Sequence, residues 1–242
     1  MQTYEFDYND YKKRIKKRHN LSFLIMLVII ALLIIACYFI IPSTKTNKYY
    51  FVRINSYLTY SEASSMAVEL QSKSAGGYIY FDGRYHVLAN FYPNEEDANK
   101  VAENLSNNYP NIDVYTIDSK QYKKSANNTD YNVIKDIIEC QVTIINQLYN
   151  CIINHDKNML NNNQFLTMLS SINKDYQDKK SVFHSHFKGS KSANIINAYD
   201  KVEDIANSLE NIEKAVNDDV SYKLKYELMH IVFTHSSFLD SL

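Results

Sequence analysis

The pattern of apolar and polar positions divides the chain into three stretches with different periods. The first is Leu21 to Ile41, LSFLIMLVIIALLIIACYFII, 21 residues with no charge and a single Ser. A helix of that length spans roughly 30 Å, the thickness of a bilayer's hydrocarbon core. It predicts a transmembrane helix. KKRIKKR (Lys12 to Arg18) precedes it, and the first 20 residues carry six basic and three acidic side chains. The positive-inside rule then leaves residues 1–20 as a cytoplasmic tail and everything beyond Pro42 outside the cytoplasmic membrane. Two rivals are weighed against the uncleaved anchor. A cleaved signal peptide would have a shorter apolar region and a small-x-small site. A lipoprotein signal would use Cys37, but the run Tyr38-Phe39-Ile40-Ile41 continues apolar beyond it. A linker at 42–48 follows, reaching no more than about 25 Å when extended.

The second stretch, 49–119, contains an internal repeat at an offset of 35. Seven of 21 positions are identical between Tyr50–Leu70 and Tyr85–Leu105: Tyr50/Tyr85, Val52/Val87, Asn55/Asn90, Tyr57/Tyr92, Ala63/Ala98, Ala67/Ala102 and Leu70/Leu105. A fixed period of this size marks a repeated supersecondary unit. Each copy reads as strand, loop, helix. Val52 and Ile54 alternate with Phe51 and Arg53, and Val87 and Ala89 with His86 and Leu88, the period of a half-buried strand. Ser61 and Asn94 are predicted N-caps. Ala63, Met66, Ala67 and Leu70 share a helix face, as do Ala98, Val101, Ala102 and Leu105. Gly76-Gly77 closes the first helix and Tyr78–Phe81 is a strand. Asp82-Gly83 turns a hairpin, and Ile112–Ile117 is a fourth strand. The expected arrangement is βαββαβ, a four-stranded sheet with two helices on one face.

The third stretch, 120–242, is helical. After the polar QYKKSANNT, apolar positions recur at 3–4 spacing from Val133 to Ile152, Phe165 to Tyr176 with a continuation to Phe187 open, Ile195 to Val216, and Val220 to Phe238. Four such helices predict an antiparallel bundle with its own core. A coiled-coil dimer through the third helix is the alternative. The fold class is therefore α+β: one membrane helix, the βαββαβ module, then an all-α bundle.

The strands YYFVRINSY and RYHVLANFY, each running into a helix through Ala63 or Ala98, resemble the SPOR domain, the sporulation-related repeat of bacterial envelope proteins. The likeness covers about 70 of the 242 residues. It departs where the family often has Gln (Arg53 here) and Gly (Asn55 and Asn90 here). The resemblance implies binding to peptidoglycan glycan strands, stripped of stem peptides, at division or sporulation septa.

The residue chemistry permits that expectation. With Val52, Ile54, Ile79, Val87 and Ala89 turned to the helices, the opposite face presents Phe51, Arg53, Tyr78, Tyr80, His86, Leu88 and Tyr115. These seven are the candidate glycan-binding residues, since sugar C–H faces pack on flat rings while polar tips meet hydroxyls. High strand propensity of aromatic residues is the bland explanation for any single one. Residues 49–118 hold four basic and nine acidic side chains, and the whole chain carries a formal charge of −1. That balance excludes a nucleic-acid partner, which needs Lys and Arg against phosphate.

No phosphate loop, nucleophile elbow, HExxH or Cys-His signature occurs, so neither an enzyme nor a cofactor is expected. His184-Ser185-His186 lacks a carboxylate or Cys at ligand spacing, and no metal site is expected there. Cys140 and Cys151 lie three turns apart on one helix face, too far to pair. The expected function is a membrane-anchored envelope protein that reads glycan and carries an unidentified protein partner on its bundle. The alternative is a structural subunit of an envelope complex without glycan affinity.

Overall fold

A computed structural model describes residues 48–120, 122 and 128–242. The predicted membrane helix, basic tail and most of the linker lie outside these residues. Among the described residues no helix is long and apolar enough to cross a membrane.

Four strands form one antiparallel sheet: β1 (Lys48–Tyr57), β2 (Tyr78–Phe81), β3 (Tyr85–Tyr92) and β4 (Asp113–Asp118), in the order β2-β3-β1-β4. Helices α1 (Tyr60–Ser72) and α2 (Glu95–Leu105) follow β1 and β3. The sequence echo is a backbone twofold. Tyr50 pairs with Tyr92 and Tyr57 with Tyr85; Phe51 with Phe91 and Ser56 with His86; Val52 with Asn90 and Asn55 with Val87. Each second pair is the first displaced by 35 positions. Arg53 opposite Leu88 is its own image. The outer strands obey the same rule: Tyr78 opposes Leu88 as Asp113 opposes Arg53, and Tyr80 opposes His86 as Tyr115 opposes Phe51. Even the irregularities repeat. Ile54 and Ala89, 35 apart, are the residues skipped by the β1–β3 register. Beside them, the Asn55 and Asn90 side chains each accept from the next backbone N–H, at 2.8 and 2.9 Å. A bulge on each strand keeps the apolar alternation in phase despite the skipped residue.

The helix caps follow the twofold too, and correct one expectation. The first helix is capped by Thr59, not Ser61; its hydroxyl accepts from the Glu62 N–H, as Asn94 accepts from the Asp97 N–H. Ala63 and Ala98 are fully buried, which lets both helices lie close on Val52, Ile54, Val87 and Ala89. The first helix ends at Ser72, ahead of the predicted glycine stop. Gly76 serves close approach instead: a Cβ there would press on the flexible end of Met229 and lie 3.2 Å from the Tyr226 backbone nitrogen and 3.3 Å from the Ala89 carbonyl.

That contact belongs to the C-terminal helices, α3 (Asn128–Asp156), α4 (Asn162–His186), α5 (Ala193–Asn217) and α6 (Ser221–Ser241). They pack in a ring, α3 on α4, α4 on α5, α5 on α6 and α6 back on α3. The predicted third-helix stripe, including Val202, Ile205, Leu209 and Ile212, is buried within the chain. The bundle does not keep its core to itself. Sheet and bundle belong to one compact unit, and a continuous apolar core joins Phe51, Tyr78, Leu88 and Phe91 to the helices. The change at residue 119/120 is a change of secondary structure, not a break in packing. α6 lies on the sheet face opposite α1 and α2, so helices cover both faces. This corrects the expected open face.

Candidate functional site

The seven predicted glycan-binding residues stand on one face, but they have different fates. Phe51 and Leu88 are 0% exposed and Tyr78 is 9% exposed. Phe233 of α6 stacks on them, with ring centroids 4.9 Å from Phe51, 5.1 Å from Tyr78 and 4.3 Å from Tyr80. Phe51, Tyr78 and Leu88 are therefore core, and cannot meet a polymer. The physical reason is direct: an uncovered row of Phe51, Leu88, Phe91 and Tyr78 would expose a contiguous apolar patch, and folding against α6 removes it from water.

Polar contacts edge this dock. The Lys225 ammonium donates to the Ser74 carbonyl at 2.7 Å and to the Ser221 hydroxyl at 3.3 Å, and lies 2.7 Å from Asp156. Tyr78 Oη meets His230 Nδ1 at 3.2 Å, Ser119 donates to Ser236 at 3.3 Å, and Lys120 pairs with Asp240 at 3.2 Å. His235 is fully buried between Gln141, 2.7 Å away, and the edge of the Tyr49 ring; burial pushes its pKa down to about 4.

Arg53, Tyr80 and Tyr115 stay partly exposed beside this dock, Tyr80 with one ring face under Phe233, whereas His86, 5% exposed, is buried among them and does not form part of an open face. Arg53 donates through Nε to Asp113 at 2.7 Å and also through Nη2, a two-pronged pair. Its hydrogen bonds to Asp113 keep the guanidinium pKa above its ordinary value. Arg53 Nη1 lies 3.2 Å from His86 Nδ1, and the Ser56 hydroxyl 2.7 Å from the same nitrogen. A guanidinium can only donate, so Nδ1 is the acceptor, and the Nε2–H donates to Asp82 at 2.7 Å. Tyr115 donates to the other Asp82 oxygen at 2.8 Å, and Arg53 sits 5.2 Å over the Tyr115 ring. Burial works to raise the Asp82 carboxyl, but hydrogen bonds from Tyr115 and His86 prevail and hold it below its ordinary value. Burial and the Asp82 bond raise the Tyr115 phenol. The rings of Tyr80 and Tyr115, equivalent under the twofold, meet at 5.9 Å.

Ser56, His86 and Asp82 line up as a hydroxyl, an imidazole and a carboxylate. Acyl transfer would need the Nδ1 lone pair to take the serine proton. Arg53 already engages that lone pair, so the array is a fixed hydrogen-bonding surface without a free base. It offers the Asp82 carboxylate, the Arg53–Asp113 pair and the phenol rings of Tyr80 and Tyr115.

The bundle holds no comparable array. Burial raises the thiols of Cys140 and Cys151 to about 11, leaving them protonated and unreactive. His184 lies against Glu203 at 3.4 Å while His186 bonds Asp130 at 2.6 Å. Among the described residues no group of three His, Cys, Asp or Glu could hold a metal ion.

Sequence reasoning missed Ser56, Asp82, Asp113 and, above all, Phe233. The signal for Phe233 was present. Leu224, Leu228, Ile231, Val232, Phe238 and Leu239 make one stripe of α6, and Met229 and Phe233 fall outside it, so the apolar arc covers more than half of the helix and can pack on two faces. Compared with family models, curated proteins and solved structures, the chain matches none.

Proposed function

We propose that this chain is a single-pass membrane protein of the bacterial cell envelope. Its N-terminus lies in the cytoplasm and its sheet and bundle lie outside, where it contacts peptidoglycan glycan strands. The reading draws on the 21-residue apolar run, the basic flank and the SPOR-like repeat. The observation that carries the contact is the uncovered half of the sheet face. There Tyr80 and Tyr115 offer ring surface, and Asp82, Asp113 and Arg53 offer fixed hydrogen-bonding atoms. The module's acidic balance suits a neutral sugar polymer better than a polyanion. The mechanism is adsorption, without catalysis or cofactor, serving division or sporulation.

The test is sedimentation of the full-length chain, in mild detergent, with purified sacculi before and after an amidase removes the stem peptides. The reading expects co-sedimentation that rises after amidase treatment. It also expects Arg53→Ala with Tyr115→Ala to weaken sedimentation without changing the circular dichroism melt. A chain left in the supernatant by both preparations overturns it.

One observation favours a second reading. The apolar half of the face already holds a protein ligand, the chain's own α6. An envelope assembly subunit binding protein partners would need nothing more from the sheet.

A further inference from the structure

The twofold supplies an internal control for every surface residue of the module. At the β1–α1 end three rings cluster: Phe81 and Tyr85 at 4.6 Å, Tyr85 and Tyr60 at 5.7 Å. Tyr60 is 59% and Phe81 57% exposed, and neighbouring Leu58 is 75% exposed. Displaced by 35, the positions of Tyr60 and Phe81 are Glu95 and Thr116, each at the same place in helix and strand. The fold is therefore satisfied by Glu and Thr where this end carries Tyr and Phe. Neither strand propensity nor packing demands the rings of Tyr60 and Phe81, while Tyr85 has Tyr50 as its equivalent.

Their place is also informative. The chain enters the sheet at Lys48, seven positions after the apolar run ends at Ile41. The ring cluster sits at the other end of β1, about 30 Å along the strand. Glu62, Asp82 and Arg84 lie beside it in the sequence, and with nine acidic residues the module repels polyanions.

We infer that Tyr60, Phe81 and Tyr85 form a glycan-stacking ledge, so that the sugar-contacting surface wraps from Tyr80 around the β2–β3 hairpin onto its other side. This rests on the glycan reading above. Sugar C–H faces pack on the rings, and the hairpin's Asp82 and Arg84 are within the same turn to meet hydroxyls.

The test writes one half of the repeat into the other. Tyr60→Glu with Phe81→Thr is compared with wild type, full length in mild detergent, by sedimentation with amidase-treated sacculi. The inference expects at least about tenfold weaker apparent affinity, since two rings are removed and one stacking contact alone is worth about that, with an unchanged circular dichroism melt. A variant that sediments as wild type overturns the ledge and leaves the glycan reading standing. A wild type that does not sediment overturns the reading itself, and the ledge with it. If the melt also falls, Tyr60→Phe with Phe81→Tyr, which keeps both rings, decides: restored sedimentation supports the ledge, and continued loss overturns it.

Discussion

The two halves of the duplicated sheet share a backbone and differ in what that backbone meets. Leu88, Tyr78, Phe51 and Phe91 on one half correspond, at an offset of 35, to Arg53, Asp113, His86 and Ser56 on the other. The first set is buried and joins the bundle core, Phe51 and Tyr78 against Phe233 of α6 and Phe91 against Tyr149 of α3. The second set is tied into a partly exposed hydrogen-bonded cluster with His86 buried at its centre. Topology and register therefore do not decide whether such a face is core or contact surface. Four side chains do. The lesson extends to the hairpin end, where Tyr60 and Phe81 stand in place of Glu95 and Thr116.

Exchanging residues across the twofold gives the sharpest tests. Leu88→Arg should have the largest effect, more than about 4 kcal/mol, because it places an unpaired charge beneath Phe233. Urea unfolding of the full-length chain in detergent would read this as loss of the folded state. Phe233→Ala should come next, at roughly 3–4 kcal/mol, by opening a cavity among Phe51, Tyr78 and Tyr80. Sheet and helix signals should still unfold together, since one core serves both.

Acid should act through His235. Its folded pKa, about 4, lies below the ordinary 6.5. The stabilising contribution is complete above pH 6.5 and is lost as pH falls from there toward 4, up to roughly 3 kcal/mol. His235→Gln should flatten that part of the stability–pH curve. Lys225→Met should cost about 2 kcal/mol by leaving Asp156 and the Ser74 carbonyl without their partner, a value tempered by the partial exposure of Asp156. Smallest of all, Arg53→Leu should change stability by less than about 1 kcal/mol, since its pair with Asp113 is partly solvated. Near equality between Arg53→Leu and Leu88→Arg would break the comparison.

Much of this fold was legible from periodicity. The repeat predicted the strand and helix order, and the identities at Asn55/Asn90 and Ala63/Ala98 mark the bulges and the close helix contacts. The four C-terminal stripes gave α3 to α6 within a few residues. What could not be read was which surfaces meet. Alternation assigns Phe51 and Leu88 to a face, but it is silent on what covers that face. The wide apolar arc of α6, with Met229 and Phe233 outside its main stripe, was the available clue. The polar cluster was half legible: Arg53, His86, Tyr80 and Tyr115 followed from alternation. Asp82 reads as an ordinary turn residue, and Asp113 gains meaning only once β4 is registered against β1.

The most direct test of the shared core is native-state hydrogen exchange on the full-length chain. The account predicts that amides of β3 and α6 are protected by the same opening free energy, within about 1 kcal/mol, because neither can open without exposing Phe51, Leu88 and Phe233. Exchange of α6 orders of magnitude faster than β3 would mean the helix leaves an intact sheet, and would contradict it.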